Sequence, residues 1–148
     1  MEKDIIIRDA KMDDSKDLAI LAGQLGYPCT ENEVRTRIVP YLNNKNSRIV
    51  VAEIDNKVVG WTSLDVVEHF YMEKYISISG LVIDERLRGL GIGHKIINES
   101  ITWTKGKKIN IIKLSANVIR KDAHKFYEKN GFKKIKEQYV FINNITSH

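Results

Sequence analysis

Leu81–Trp103, LVIDERLRGLGIGHKIINESITW, is the stretch whose reading decides the fold. It opens as a short apolar run, Leu81-Val82-Ile83, and passes through a charged turn, Asp84-Glu85-Arg86. It then reaches Arg88-Gly89-Leu90-Gly91-Ile92-Gly93, after which apolar residues recur at Ile96, Ile97, Ile101 and Trp103. The first part predicts a buried strand and the last an amphipathic helix. Three glycines in five residues lie between them. Glycine admits positive φ and lets another group approach the backbone closely. A glycine-rich loop entering a helix N-terminus aims amide N–H groups at one point, where the helix dipole is positive. Such a point suits an anion, usually phosphate. A tight strand-to-helix turn that simply needs glycine is the plain alternative.

Spacing tests which phosphate loop this is. The Walker loop requires G-x-x-x-x-G-K-[ST]; here His94 falls where the second glycine belongs, and Ile96 follows Lys95. The dinucleotide fingerprint requires G-x-G-x-x-G with an acidic residue about twenty positions on. The chain has G-x-G-x-G at Gly89, Gly91 and Gly93, with no such acid. The pattern that does fit is R-x-x-G-x-G at Arg88, Gly91 and Gly93.

The rest of the sequence narrows the classes. A chain of 148 residues predicts a single domain, residues 1–148, with room for a real core. Its 43% hydrophobic and 29% charged content is that of a globular protein. No apolar run approaches the roughly eighteen residues of a membrane span, so no membrane partner is expected. The charged Met1-Glu2-Lys3-Asp4 start lacks a signal-type apolar run, and a cytoplasmic location is expected. Cys29 is the only cysteine, which forbids an internal disulfide, and an ordinary thiol outweighs a catalytic one. The net charge of +5 comes from Lys and Arg interleaved with Asp and Glu, without a basic run. No nucleic-acid motif or metal-ligand spacing accompanies it, so neither partner is expected. Local positive charge would still help to hold a polyanion.

Periodicity gives the element order. Asp4–Arg8 predicts a strand. Asp13-Asp14-Ser15 offers helix caps before Leu18, Leu21, Ala22 and Leu25, and Gly26-Tyr27-Pro28 stops that helix. Thr30 to Glu33 is a capping box, and Pro40 shortens or kinks the helix it opens. Ser47–Ile54 and Lys57–Val67 read as a hairpin, followed by a charged, aromatic connection at Glu68–Lys74. Tyr75–Ile83 and Ile109–Val118 predict further strands, Lys121–Lys129 a helix ended by Asn130-Gly131, and Phe132–Ile135 and Gln138–Ile142 closing strands. The expected fold is α/β: a mixed, mostly antiparallel sheet of roughly six to seven strands flanked by about four helices on both faces.

R-x-x-G-x-G at Arg88–Gly93 resembles the pyrophosphate loop of the GCN5-related N-acetyltransferases. A second motif supports it: Leu114–Phe132 contains Ala123, Tyr127, Glu128, Gly131 and Phe132, similar to that family's A-x-x-x-Y-E-x-x-G-F. The two motifs and the strand order cover roughly residues 3–142. The run Leu114, Ser115, Asn117, Val118, Arg120, Asp122, Ala123, His124, Phe126, Tyr127 resembles the subgroup containing aminoalkylphosphonate N-acetyltransferases. Ile119, Ala123, Phe126 and Tyr127 share one helix face, so Tyr127 points inward and its hydroxyl needs a partner.

The resemblance implies acetyl-CoA as cofactor, held in a splay between the fourth and fifth strands. By it, Leu81, Val82 and Ile83 offer backbone groups to the pantetheine and the thioester carbonyl, as an oxyanion hole. Gly89, Leu90, Gly91, Ile92, Gly93 and His94 hold the pyrophosphate beside Arg88. Asn117 bonds the pantetheine, and Arg120, where many relatives carry asparagine, pairs with phosphate. Tyr127 is the general acid that protonates the departing thiolate, and His124 receives no catalytic role. Relatives often carry a glutamate four residues ahead of Leu81; here that position is Ser77. The acceptor's proton then leaves through water to Glu68, His69 or Glu73, or the amine arrives neutral. Leu25–Pro28, Tyr41 and Glu68–Tyr75 are expected on the acceptor side.

The activity implied is direct acetyl transfer to a small primary amine in a ternary complex, and the resemblance implies a homodimer. Acetylation of a protein N-terminus or lysine, or a non-catalytic acyl-CoA sensor, are the rival readings.

Overall fold

The computed structural model describes residues 4–116 and 121–146. It divides the chain into two compact units, Met1–Ser115 and Ala116–His148. The first unit is built on a sheet of five strands in the order β1-β2-β3-β4-β5. These are β1 (Ile6–Asp9), β2 (Ser47–Ile54), β3 (Lys57–His69), β4 (Met72–Ile83) and β5 (Ile112–Leu114). All neighbours are antiparallel except β4 and β5, which are parallel. The helices are α1 (Ser15–Leu25), α2 (Glu31–Arg37), α3 (Val39–Leu42), α4 (Ile92–Gly106) and, in the second unit, α5 (Lys121–Lys129). Among the described residues no helix is long and apolar enough to cross a membrane.

Strand alternation sends side chains to two covers. On one face, Leu18 and Leu21 of α1 and Ile38 pack with Val51, Val58 and Val82. On the other, Ile92 and Ile96 of α4 pack with Ala52, Ile54 and Val59. Ile96 and Ile97 are fully buried, each contributing about 1.5–3 kcal/mol by leaving water. Thr30 and Glu33 form the predicted capping box, with Glu33 N donating to Thr30 Oγ1 at 3.1 Å and Thr30 N donating to Glu33 Oε1 at 2.9 Å. Pro40 stands inside α3, where the helix begun at Glu31 has already been interrupted.

The sheet differs from expectation in three places. Among the described residues it has five strands rather than the expected six to seven. Residues 132–144 carry no helix or strand, and Tyr139, Val140, Phe141 and Ile142 are each about nine-tenths exposed. Their apolar character supplies strand propensity, but a strand also needs a neighbour to complete its ladder. The strand expected over Ile109–Val118 is only Ile112–Leu114, and Val118 lies outside the described residues. Ile109 instead donates its N–H to Thr104 O at the end of α4 and is buried there. Finally, Glu68–Lys74 is a strand hairpin rather than a loose connection, because Val67 faces Tyr75 and, after a one-residue register shift, His69 faces Met72.

Candidate active site

The site begins with a mismatch in the sheet. Along β3, β4 is paired from Met72 to Ile83, but β5 accompanies it only from Ile76 to Ile78. Beyond Ile78, no described strand lies against the other edge of Ser79–Ile83. The register against β3 jumps at the same point: Leu64 faces Ile78 and Ser63 faces Gly80, leaving Ser79 as a bulge. A bulge bends its strand and redirects neighbouring groups. Backbone N–H and C=O groups of Leu81, Val82 and Ile83 therefore border an opening, while Val82 itself is sunk in the α1 core.

The chain then enters the glycine loop. Asp84 ties it down: its N–H donates to Val59 O at 2.8 Å, and its buried carboxylate accepts from the Arg86 backbone N at 3.1 Å and Nη2 at 3.0 Å. The Arg86 side chain, more than any other influence, holds the Asp84 carboxyl below the usual range, against the opposing effect of burial. Gln24 of α1 accepts the Glu85 N–H at 2.9 Å. Gly89 and Gly91 adopt φ of +86° and +81°, and a side chain at either would meet nothing within 4 Å. Both are glycine because of backbone conformation, and the open space beside them lets a ligand reach the chain. Gly91 caps α4, whose ladder starts with Lys95 N donating to Gly91 O at 3.1 Å. Ile92 and Gly93 are buried beneath it, so the first turn is anchored with its amides directed outward. Arg88 and Leu90 are exposed, with Arg88 Nε donating to Ile83 O at 3.4 Å. The exposed His94 lies 3.2 Å from the Asn98 amide. This set fits a pyrophosphate: backbone donors, positive dipole, local arginine and room.

On the α1 side of the bulge, an open cleft of about 280 Å³ is lined by Ala22, Leu25, Tyr27, Trp61, Ser63, Ser79 and Gly80. Two features shape it. Gly26, at φ +109°, ends α1 with Tyr27 N donating to Ala22 O at 2.9 Å, which turns Tyr27 into the opening. Gly80 leaves space for Trp61: an added Cβ would lie 3.0 Å from the indole ring. Leu25 and Tyr27 are predicted from sequence; Trp61, Ser63 and Ser79 are not. Their signal is alternation in GWTSLD against SISG, but only the register shows which residues face the cleft. A larger depression of about 350 Å³ over α2 is lined by Asn32, Glu33, Thr36 and Arg37. Its charges pair with each other, Arg37 to Glu33 at 3.3 Å, and it shares no lining residue with the cleft at the bulge.

Glu68 and His69 sit at the other end of β4. Lys74, Glu68's partner at 3.5 Å, is five residues before Ser79, roughly 16 Å along an extended strand. His69 stacks on Tyr71 with ring centroids 5.2 Å apart. The structure thus does not bring either residue to the bulge. Glu73 is exposed on the same hairpin, and Tyr41 is half-buried on α3, away from the cleft lining.

Tyr127 belongs to the second unit. Gly131, at φ +90°, ends α5 with Phe132 N donating to Tyr127 O at 3.0 Å and Gly131 N donating to Glu128 O at 3.1 Å. These are the paired bonds of a Schellman cap, and the Tyr127 and Phe132 rings close it at 6.1 Å. The spacing Y-E-x-x-G-F is therefore a helix terminator that fixes the tyrosine's turn. Asn117 and Arg120 lie outside the described residues.

Comparison with known proteins agrees with this geometry. The model of the acetyltransferase (GNAT) family matches residues 18–132. The chain belongs to this family. An uncharacterized N-acetyltransferase of Methanocaldococcus jannaschii is 31% identical over 84 residues, 55% of this chain and 37% of that protein. The aminoalkylphosphonate N-acetyltransferase of Salmonella typhimurium is 31% identical over 80 residues, 53% of this chain and 52% of its own length. The chain spans about half or less of the curated relatives it matches. Among solved structures, an aminoglycoside N-acetyltransferase in complex with CoA superposes with a TM-score of 0.83 at 14% identity, over 98% of this chain and 97% of that one. At that identity the likeness concerns the GNAT fold alone.

Proposed function

We propose that this chain transfers an acetyl group from acetyl-CoA to a primary amine of a small molecule, with both bound at once. One observation supports the reading: after Ile78 the β4 edge, which no described strand pairs, runs directly into the Arg88–Gly93 loop and the first turn of α4. Acetyl-CoA supplies an acyl group activated as a thioester. Amides of Gly89–His94, with Arg88 beside them, hold the pyrophosphate, and Asn117 and Arg120 complete the grip. Backbone groups of Leu81–Ile83 align the pantetheine and donate to the thioester carbonyl oxygen, where negative charge grows. The cleft at Trp61, Ser63 and Ser79 positions the acceptor. Its nitrogen lone pair forms the new C–N bond as the C–S bond breaks. The Tyr127 hydroxyl delivers a proton to the sulfur, and water carries away the protons lost by nitrogen, a net release of one from an ammonium substrate. Glu68 and His69 remain as distant ends of that water route. A homodimer in the cytoplasm is the setting expected for this reading.

The test is thiol release from acetyl-CoA across amines, aminoalkylphosphonates, aminoglycosides, polyamines and peptides. The expected result is turnover on one small-amine class. With Tyr127→Phe, kcat should fall about a hundredfold while acetyl-CoA affinity is kept. Tight acetyl-CoA binding without turnover on any class would replace the enzyme by a sensor, and turnover only on peptides would replace the small amine by a protein.

A further inference from the structure

The register of β4 sets Asp65 of β3 directly opposite Ser77. Paired residues of an antiparallel ladder point to one face, with Cβ atoms about 4.5–5.5 Å apart. Asp65 also lies two residues from Ser63; the extra residue of the bulge is Ser79 of β4, while β3 keeps regular register with β2 from Ser63 to Asp65, so Asp65 shares the face of the Trp61–Ser63 cleft wall. Its side chain is half-buried. Among the described residues its one hydrogen bond is from Ser47 Oγ at 2.7 Å, and no cation pairs with it. The charged residue on the far side of Ser77 is Lys113, two strand spacings or about 10 Å away. Its Nζ lies 4.3 Å from the centre of the Tyr75 ring and leaves Asp65 unneutralised.

A half-buried carboxylate without a cationic partner, two residues along β3 from the Ser63 that lines the cleft, favours a ligand that brings positive charge. We propose that Asp65 docks a second ammonium group of the acceptor, so that this chain prefers short α,ω-diamines to monoamines. The inference rests on the acetyl-transfer reading, which puts the reacting nitrogen at the bulge beside Ser79. Asp65 is about 7 Å along β3 from Ser63, which faces that point. That is too far for one nitrogen both to attack the thioester and to touch the carboxylate. It suits two nitrogens joined by a short methylene chain. Asp65 is thus a specificity residue, and it takes no proton from the reacting nitrogen.

The test compares kcat/KM for diaminobutane and butylamine in the wild type, Asp65→Asn and Asp65→Glu, with diaminobutane binding measured by calorimetry alongside. Asparagine still accepts from Ser47, so the strand pairing is retained. The wild type should favour the diamine by about tenfold to a hundredfold, mostly through KM. Asp65→Asn should collapse that ratio and weaken diaminobutane binding, and Asp65→Glu should restore much of it. A ratio near one in the wild type, or an unchanged ratio in Asp65→Asn, overturns the proposal. An equal loss of kcat on both amines also overturns it, by making Asp65 a base or a structural residue. If no amine is turned over, the acetyl-transfer reading fails, while the calorimetric arm still reports whether Asp65 holds a diamine.

Discussion

Gly60, Gly80, Gly89 and Gly91 are the same residue for different reasons. An alanine at Gly60 would bring its Cβ to 2.7 Å from Ile83 Cδ1 and 3.1 Å from Val82 O, so packing excludes it. Gly91 has open space and φ +81°, so only backbone strain opposes a side chain. Gly91→Ala should cost about 1–2 kcal/mol of stability and weaken acetyl-CoA binding, while Gly91→Asn, which tolerates left-handed backbone, should lose less of both. Thermal melts and ligand titration of the two variants measure this. The sequence shows the glycines of the loop plainly, because three in five residues is a local pattern. It hides the need at Gly80, which arises from Trp61, nineteen positions away in the chain. Asp65 is hidden for the same reason: its importance lies in being opposite Ser77, and register across a hairpin with bulges is not a local property.

At the scale of elements, ends were more legible than lengths. The Thr30–Glu33 box and the Gly131 stop each involve residues three to five apart, within reach of one helical turn. Thr30→Ala should lower stability by about 1 kcal/mol, read as a shift in denaturation midpoint. Gly131→Ala should fray α5 and disturb the turn that carries Tyr127, lowering the rate of acetyl transfer as well as the melting temperature. Asp14 shows the limit of local reading. It looks like a cap, yet its carboxylate accepts two bonds from Arg8, at 2.8 and 2.9 Å, and one from Lys11 N. Strand ends failed for a related reason: Ile109, Ile111 and Tyr139–Ile142 carry propensity, but pairing partners decide whether propensity becomes a ladder.

Across the whole molecule, Arg8 links β1 to the turn before α1 and, through Glu53 at 2.9 Å, to β2. Burial is the largest influence on the Asp14 carboxyl and pushes it up, but the Arg8 bonds and the Lys11 amide together outweigh burial and hold it below its usual range. A depressed folded-state value means that the unfolded chain binds the proton more readily. This stabilisation is present above the ordinary aspartate value, about 3.9, and is lost as pH falls through the lower folded value. Denaturant melts should show the wild type losing its advantage over Asp14→Asn below about pH 4. The fold's larger division, helices on both faces of a mixed sheet, was legible because the periods of α1, α4 and the strands are strong. The open edge of β4 was not, since it depends on where β5 stops.

That open edge and the loop after it are the centre of the account, and a calorimetric titration of the full chain with acetyl-CoA tests them most directly. The account predicts binding of one acetyl-CoA per chain, weakened about tenfold or more by Gly91→Ala and by Arg88→Ala, since each removes part of the phosphate grip. Binding that neither substitution alters, or no binding at all, would contradict it.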